Sequence, residues 1–291
     1  MKSIKTRMLG AAVVAAAMAA SQSVLGHDDV WRANSAKRNI LSGAPLVAKR
    51  VASADPAQYC AAASTPHTHF TWVETVSSEL DYSHAWALWA ADCPTAVATM
   101  RGAEVTYAER VEPASGAIPT QAKKRQLADQ QIQKATDGGA VVLLVPVDTA
   151  AEAAQAVRRA YYPPMGTRSF GPGQFDTVYA GVTANYRRTY NDNVVLIAIV
   201  STVEGAYNAD EIAGVRGIHA IFLDAMNLES SSGYLQGTKE YKLLAGAITD
   251  AAQKERLHLC TADRSTSPHT LTCTRKGKGG HDDDDDDDDD D

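Results

Sequence analysis

The sequence predicts an α/β fold, a single-domain (β/α)8 TIM barrel. Three observations carry this. Short apolar runs alternate with helical stretches between about Asn34 and Cys260. The alternation repeats every roughly 25 to 50 residues, the size of a strand–helix unit in a parallel sheet. The body of about 230 residues has room for seven or eight such units, enough to close a barrel. A doubly wound open sheet is the alternative. It is weakened because no G-x-G-x-x-G follows an early strand.

The expected strands are Pro45–Ala48, Phe70–Val73, Val105–Ala108, Ala140–Val145, Val194–Val200, Ala220–Leu223 and Arg256–Cys260. Each is apolar or aromatic and bounded by Gly, Pro or Asp. Thr270–Cys273 is a short candidate for an eighth. Helices are expected at Tyr82–Ala91, Lys123–Thr136, Ala150–Ala160, Ala209–Val215 and Lys239–Lys254. In AAEAAQAVRRA, for example, alanine and valine share one face and charges the other. No internal repeat or linker divides the body.

The ends read differently. MKSIKTRMLGAAVVAAAMAASQSVLG places Lys2, Lys5 and Arg7 before an apolar run from Met8 to Ala20. That run is too short to cross a bilayer, and small residues follow it, so 1–26 reads as a signal peptide. A mitochondrial transit segment is the alternative, because no acid precedes Asp28. Residues 34–260 are the expected barrel, 261–280 a C-terminal segment and 281–291 a disordered tail. The formal charge of −7 comes from the ten aspartates at 282–291. Without them 25 acidic residues face 28 basic ones. A nearly neutral body gives no support for nucleic-acid binding, and no other stretch suits a membrane. The tail is either a loose cation-binding or solubilising element, or low-complexity drift.

Cys60, Cys93, Cys260 and Cys273 form two disulfides, with three possible connectivities, or remain buried thiols. No CxxC suggests structural zinc. His67 and His69 share a strand face but precede strand 2, at the barrel end opposite the chemistry. Ser77, His219 and His258 form no recognisable triad. Trp86 and Trp89 read as a core or interface stripe.

In a barrel the active site forms at the C-terminal strand edges. Here these read WVETVSSELDY, ERVEP, LLVPVDT, IVSTVEG and IFLDAMNLESSSG. At these edges the chain resembles the HpcH/HpaI aldolase and citrate lyase β-subunit family. YYPPMGTRSFGPGQF, then NADEIAGVRGI, then a strand ending in Asn-Leu carry the likeness, which spans about 34–260. The resemblance implies a phosphoenolpyruvate/pyruvate-type barrel that acts on a 2-oxo acid or related carboxylate. It also implies Mg2+ or Mn2+ as cofactor, an enolate intermediate, and a homo-oligomer, a trimer or hexamer.

Carried over position by position, the family's oxyanion-stabilising arginine falls on Arg110. The acid of its Asp/Glu-x-x-His turn falls on Glu74, and the histidine of that turn on Ser77. The two metal carboxylates fall on Ser201 and Asn227, which offer only neutral oxygens to a hard cation. Glu204 and Asp224 are the nearby replacements. Glu204 also suits a helix N-terminus, and Asp224 stands at an odd strand offset from Asn227. Ala225, Met226 and Gln174 are expected to shape the substrate pocket, Gln174 with Gly171, Pro172 and Gly173 in a loop that reads equally as an ordinary turn. Arg168 is read as structural, with substrate-carboxylate binding as the alternative. The expected function is a carbon–carbon lyase of aldolase type with a modified, metal-poor site. The alternatives are an inert secreted barrel that binds a ligand or partner, and a metal-independent isomerase or cyclase.

Overall fold

In the computed structural model the described residues are 34–75, 80–91, 93, 100–104, 130–169 and 186–276. The expected signal segment, Ser77, Arg110, Gln174 and the aspartate tail lie outside them. In chain order the elements are α1 (Ser35–Ser42), β1 (Leu46–Val51), α2 (Pro56–Ala63), β2 (Phe70–Val73), α3 (Tyr82–Trp89), β3 (Met100–Glu104) and β4 (Val142–Pro146). There follow α4 (Ala150–Ala160), α5 (Tyr186–Asn193), β5 (Val195–Val200), α6 (Val203–Tyr207) and α7 (Ala209–Ala213). The chain continues through β6 (Ala220–Leu223), α8 (Ala225–Ser232), α9 (Lys239–Lys254), β7 (His258–Asp263) and β8 (Thr270–Thr274). Residues 130–137 are also helical.

The eight strands close into a barrel in sequence order. Strands β1 to β7 pair in parallel, as in Val142↔Val195 and Val200↔Leu223. The central strands β4 (VLLVP) and β5 (VLIAIV) are buried along almost their whole length. Strands covered on both faces read as continuous apolar runs for this reason. Each fully buried leucine or isoleucine there contributes about 2 kcal/mol.

The closure departs from the all-parallel pattern. Strand β8 runs antiparallel to both β7 and β1. Residues 264–269 are the whole connection from β7 to β8. A connection that short makes a hairpin, whereas a parallel crossover needs a dozen or more residues. The barrel therefore extends to Thr274, past the expected boundary at 260.

Other boundaries moved for physical reasons. Strand β1 runs on through Lys49 and Arg50, whose charges hide it in the sequence. Strand β3 is MRGAE, earlier than the expected Val105–Ala108, because Arg101, Gly102 and Glu104 interrupt its apolar pattern. Positions 105–108 lie outside the described residues. Strand β7 starts at His258 because the chain first turns at Arg256, whose φ is +55°. Trp89 joins the core, whereas Trp86 is exposed, so the expected stripe is split.

Helix α9 buries Tyr241, Leu244, Ile248, Ala251 and Ala252, one face at helical spacing. At the N-terminal end of the barrel, Asn34 donates to Asn193 O at 2.6 Å and Lys37 Nζ to Val194 O at 2.9 Å. His69 accepts from Val47 N at 3.0 Å at the same end. These satisfied polar groups serve the fold at the face away from the chemistry.

Candidate active site

The C-terminal strand ends gather two guanidinium–carboxylate pairs. The first joins β1 to β2. Glu74 follows β2 directly, is 3% exposed, and donates its N–H to Val51 O at 2.9 Å. Its Oε2 accepts from Arg50 Nη2 at 2.6 Å. The second joins β6 to the β7–β8 hairpin. Asp224 follows β6, is 8% exposed, and its Oδ1 accepts from Arg264 Nη2 at 3.3 Å.

Helix α8 organises the second pair. Asp224 is its N-cap, accepting from Asn227 N at 3.4 Å, which satisfies an orphan donor of the first turn. The Asn227 side chain also donates Nδ2 to Asp224 Oδ2 at 2.6 Å. One turn on, Ser231 Oγ donates to Ser201 O at 2.9 Å. So α8 ties together the ends of β5 and β6, and with them Ser201, Asp224 and Asn227. The odd strand offset between Asp224 and Asn227 does not separate them, because the chain turns helical at Ala225.

The remaining expected residues divide. Glu204 is exposed in the first turn of α6, the helix-start position, rather than buried beside Asp224. Met226 is 51% exposed, and Ala225 O accepts from Tyr241 Oη at 3.4 Å. Arg168 is at the other end of the barrel. The loop carrying it is fixed by Tyr162 N donating to Asn191 Oδ1 at 2.9 Å, in the helix that leads into β5. Its buried guanidinium donates to Thr136 and to Asp137 Oδ1, the latter at 2.6 Å. That is the structural role.

Three residues at this rim escaped the sequence reading: Arg50, Arg264 and His269. All three adjoin β1, β7 or β8, whose edges were not among those read. The signals were present in LVAKR and CTADRST. Arg50 Nη1 lies 3.4 Å from His269 Nδ1. Arginine only donates, so Nδ1 accepts and the neutral ring carries its proton on Nε2. Burial pushes the His269 pKa down, helped by the charges of Arg50 and Arg264 and opposed by Asp263. A cavity of about 480 Å³ opens beside these residues, lined by Arg50, Ser53, Gln58, Thr65, Ser267 and His269 among others.

The rim is therefore rich in donors fit for a carboxylate or an enolate oxygen. It is poor in what a divalent ion needs. Ser201 and Asn227 are uncharged, the Asn227 amide faces Asp224, and Asp224 already carries a guanidinium. Among the described residues no group of three or more His, Cys, Asp or Glu is placed to hold a metal. The described side chains at this rim do not fit magnesium or manganese.

Comparison with known proteins places the chain. The HpcH/HpaI aldolase/citrate lyase family model matches residues 97–270. A hydroxypyruvate/pyruvate aldolase from Sagittula stellata is 36% identical over 125 residues, covering 43% of this chain and 49% of the relative. A 2-keto-3-deoxy-L-rhamnonate aldolase from Escherichia coli K12 is 38% identical over 104 residues, 35% of this chain and 39% of the relative. The chain thus spans about half the length of these curated relatives, or less. An HpcH/HpaI family protein from Burkholderia cenocepacia shares the fold, with a TM-score of 0.64 at 19% identity over 78% of this chain and 84% of that one. The match over more than half of the sequence, on a barrel with these strand ends, makes the chain a member of the HpcH/HpaI aldolase/citrate lyase family.

Proposed function

We propose that this chain is a carbon–carbon lyase that reversibly cleaves a hydroxylated 2-oxo acid through an enolate. One observation carries the reading: in a barrel of this family, the C-terminal rim holds Arg50–Glu74 and Arg264–Asp224 together. The relatives named above are aldolases of 2-oxo acids, which favours an enzyme over the inert barrel.

The chemistry follows from those groups. A base takes the proton of the hydroxyl on the carbon two bonds from the keto carbon. The bond between that carbon and its neighbour breaks, and an aldehyde leaves. The electron pair becomes an enolate on the former keto oxygen, where a guanidinium stabilises the charge. A proton returned to carbon then gives the shorter 2-oxo acid. Glu74, held by Arg50, is the proton-handling group. Arg110, at the end of the ERVEP stretch, is assigned the oxyanion role by resemblance alone. Ser77 replaces the family's histidine and takes no part as a base.

We further infer an extracytoplasmic location, in which the charged and apolar start of the chain is a signal peptide. The disulfides Cys60–Cys93 and Cys260–Cys273 support an oxidising compartment. Exposed Tyr207, Leu235 and Leu243 supply apolar surface for a homo-oligomer.

The test is release of pyruvate from 4-hydroxy-2-oxo acids, followed by coupled reduction with NADH. Release above a heat-treated control supports the lyase. No release across aldehyde-derived substrates of different length supports the inert barrel.

A further inference from the structure

We propose that Arg264 is the resident cation of this site: seated on Asp224 beside Asn227, it binds the carboxylate and keto oxygen of the 2-oxo acid in place of a divalent ion. This rests on the lyase reading above and adds how the enolate charge is met.

The argument starts from the ligand set. At the two positions that the resemblance assigns to metal carboxylates, this chain has Ser201 and Asn227. A carboxylate does remain at the spot, Asp224, and it is fully engaged. Oδ2 accepts from Asn227 Nδ2 at 2.6 Å, and Oδ1 from Arg264 Nη2 at 3.3 Å. Asn227 supplies a donor where the resemblance expects an acceptor, and that donor steadies the partner of the guanidinium. A dication here would meet one carboxylate already neutralised and a positive charge beside it.

Arg264 is also built to present its charge. It sits in the hairpin that closes the barrel, between residues with fixed backbones. Asp263 Oδ1 accepts from Ser265 N at 2.9 Å and Ser265 Oγ at 2.6 Å, and Thr266 Oγ1 lies 2.9 Å from Thr270 Oγ1. The Arg264 side chain is 39% exposed, against 12% for Asp224. So a small anion reaches the guanidinium while the carboxylate beneath stays covered. A guanidinium has five N–H donors in a planar fork that matches a carboxylate. With Nη2 on Asp224, the fork still offers donors to a planar 2-oxo acid.

Oxalate, a planar analogue of the enolate, is the probe. Its binding to the full chain is measured by calorimetry in EDTA and then with Mg2+ or Mn2+. We expect binding in EDTA that neither ion improves, and this comparison needs no variant. Arg264→Ala should weaken oxalate by about tenfold or more, the size of a lost charged hydrogen bond. Arg264→Lys should recover part of that, because it keeps the charge and loses the fork. Melting curves confirm that each variant folds, and Arg264→Gln stands in if alanine does not. Binding that requires Mg2+ or Mn2+ overturns the inference and leaves the lyase reading intact. Binding in EDTA that survives Arg264→Ala also overturns it. No oxalate binding under either condition, with no pyruvate release, overturns inference and lyase reading together.

Discussion

The Asn227 amide nitrogen lies 2.6 Å from an oxygen of Asp224, three residues before it. The pair bears on placing a carboxylate at 227, where the resemblance expects one. Asn227→Asp turns the donor into a second acceptor, so two anionic oxygens face each other at the start of α8. That should cost about 1 kcal/mol, tempered by the exposure of residue 227. With Ser201→Glu added, the same oxygens become a set of hard ligands. The double variant should then gain melting temperature in millimolar Mg2+, while the unaltered chain does not. No gain would mean that positions 201 and 227 do not correspond to the family's metal positions.

A second prediction concerns acid. His219 Nδ1 accepts from Leu196 N at 3.1 Å, and its Nε2 lies 2.5 Å from Lys37 Nζ. Burial, with the charge of Lys37, holds its pKa well below the usual 6.5. Burial pushes His69 and His258 the same way. In the unfolded chain each titrates near its ordinary value. Below about pH 6.5 the unfolded state therefore binds protons that the folded state refuses. Stability should be level above pH 7 and fall as pH drops through 6.5, by up to about 1.4 kcal/mol per unit for His219 alone. Urea unfolding at pH 7.5 and 5.5 measures this. His219→Gln should unfold more easily at the higher pH yet lose less on acidification. An equal loss in both proteins would assign the effect elsewhere.

Much of this molecule was legible in its sequence. The strands with continuous apolar runs, such as VLIAIV and AIFL, were found because burial on both faces admits little else. Strands β1 and β3 were blurred, because Lys49, Arg50, Arg101 and Glu104 sit inside them. The antiparallel closure was invisible: Thr270–Cys273 gives a strand but not its direction. The site divided along the same line. Likeness pointed to Glu74, Ser201 and Asn227 at strand ends, and closeness in sequence to Asp224; all four stand at the C-terminal rim. Arg264 and His269 were missed because their roles depend on a hairpin that brings residues 264–269 back over the rim. A linear text has no signal for which carboxylate an arginine will meet.

The hairpin also governs stability. Cys260 and Cys273 are direct partners across β7 and β8 and are joined by a disulfide. The bond closes a loop of sequence separation 13, for which chain entropy gives about 3 kcal/mol. Its loss also loosens the strand that seals the barrel. Cys260→Ser with Cys273→Ser should lower the unfolding free energy by about that amount in urea, and weaken oxalate because Arg264 sits on the same hairpin. Cys60→Ser with Cys93→Ser, joining α2 to the chain after α3, should lower stability without touching oxalate affinity. Equal effects of the two pairs on oxalate would detach Arg264 from binding.

Arg168 provides the last test, because a buried arginine in a family of carboxylate-handling enzymes invites a substrate role. The geometry argues otherwise. Its side chain is 0% exposed and bonds Asp137 Oδ1 at 2.6 Å. Its guanidinium carbon lies 5.2 Å from the ring centre of Tyr162 and 5.0 Å from that of Tyr190. Such stacking is worth about 1 to 2 kcal/mol when desolvated, on top of the ion pair. Arg168→Ala removes the charge partner of Asp137, leaving that carboxylate to the Gln133 amide, and opens a hole between the rings. The loss should be about 3 to 4 kcal/mol. Arg168→Lys keeps the charge but not the planar fork, and should still lose about 2 kcal/mol. Urea unfolding reads both. In the folded fraction KM for the 2-oxo acid should not change, since the residue lies at the barrel end remote from Glu74 and Asp224. A variant with raised KM and unaltered stability would move Arg168 into the binding machinery and refute its place as a strut.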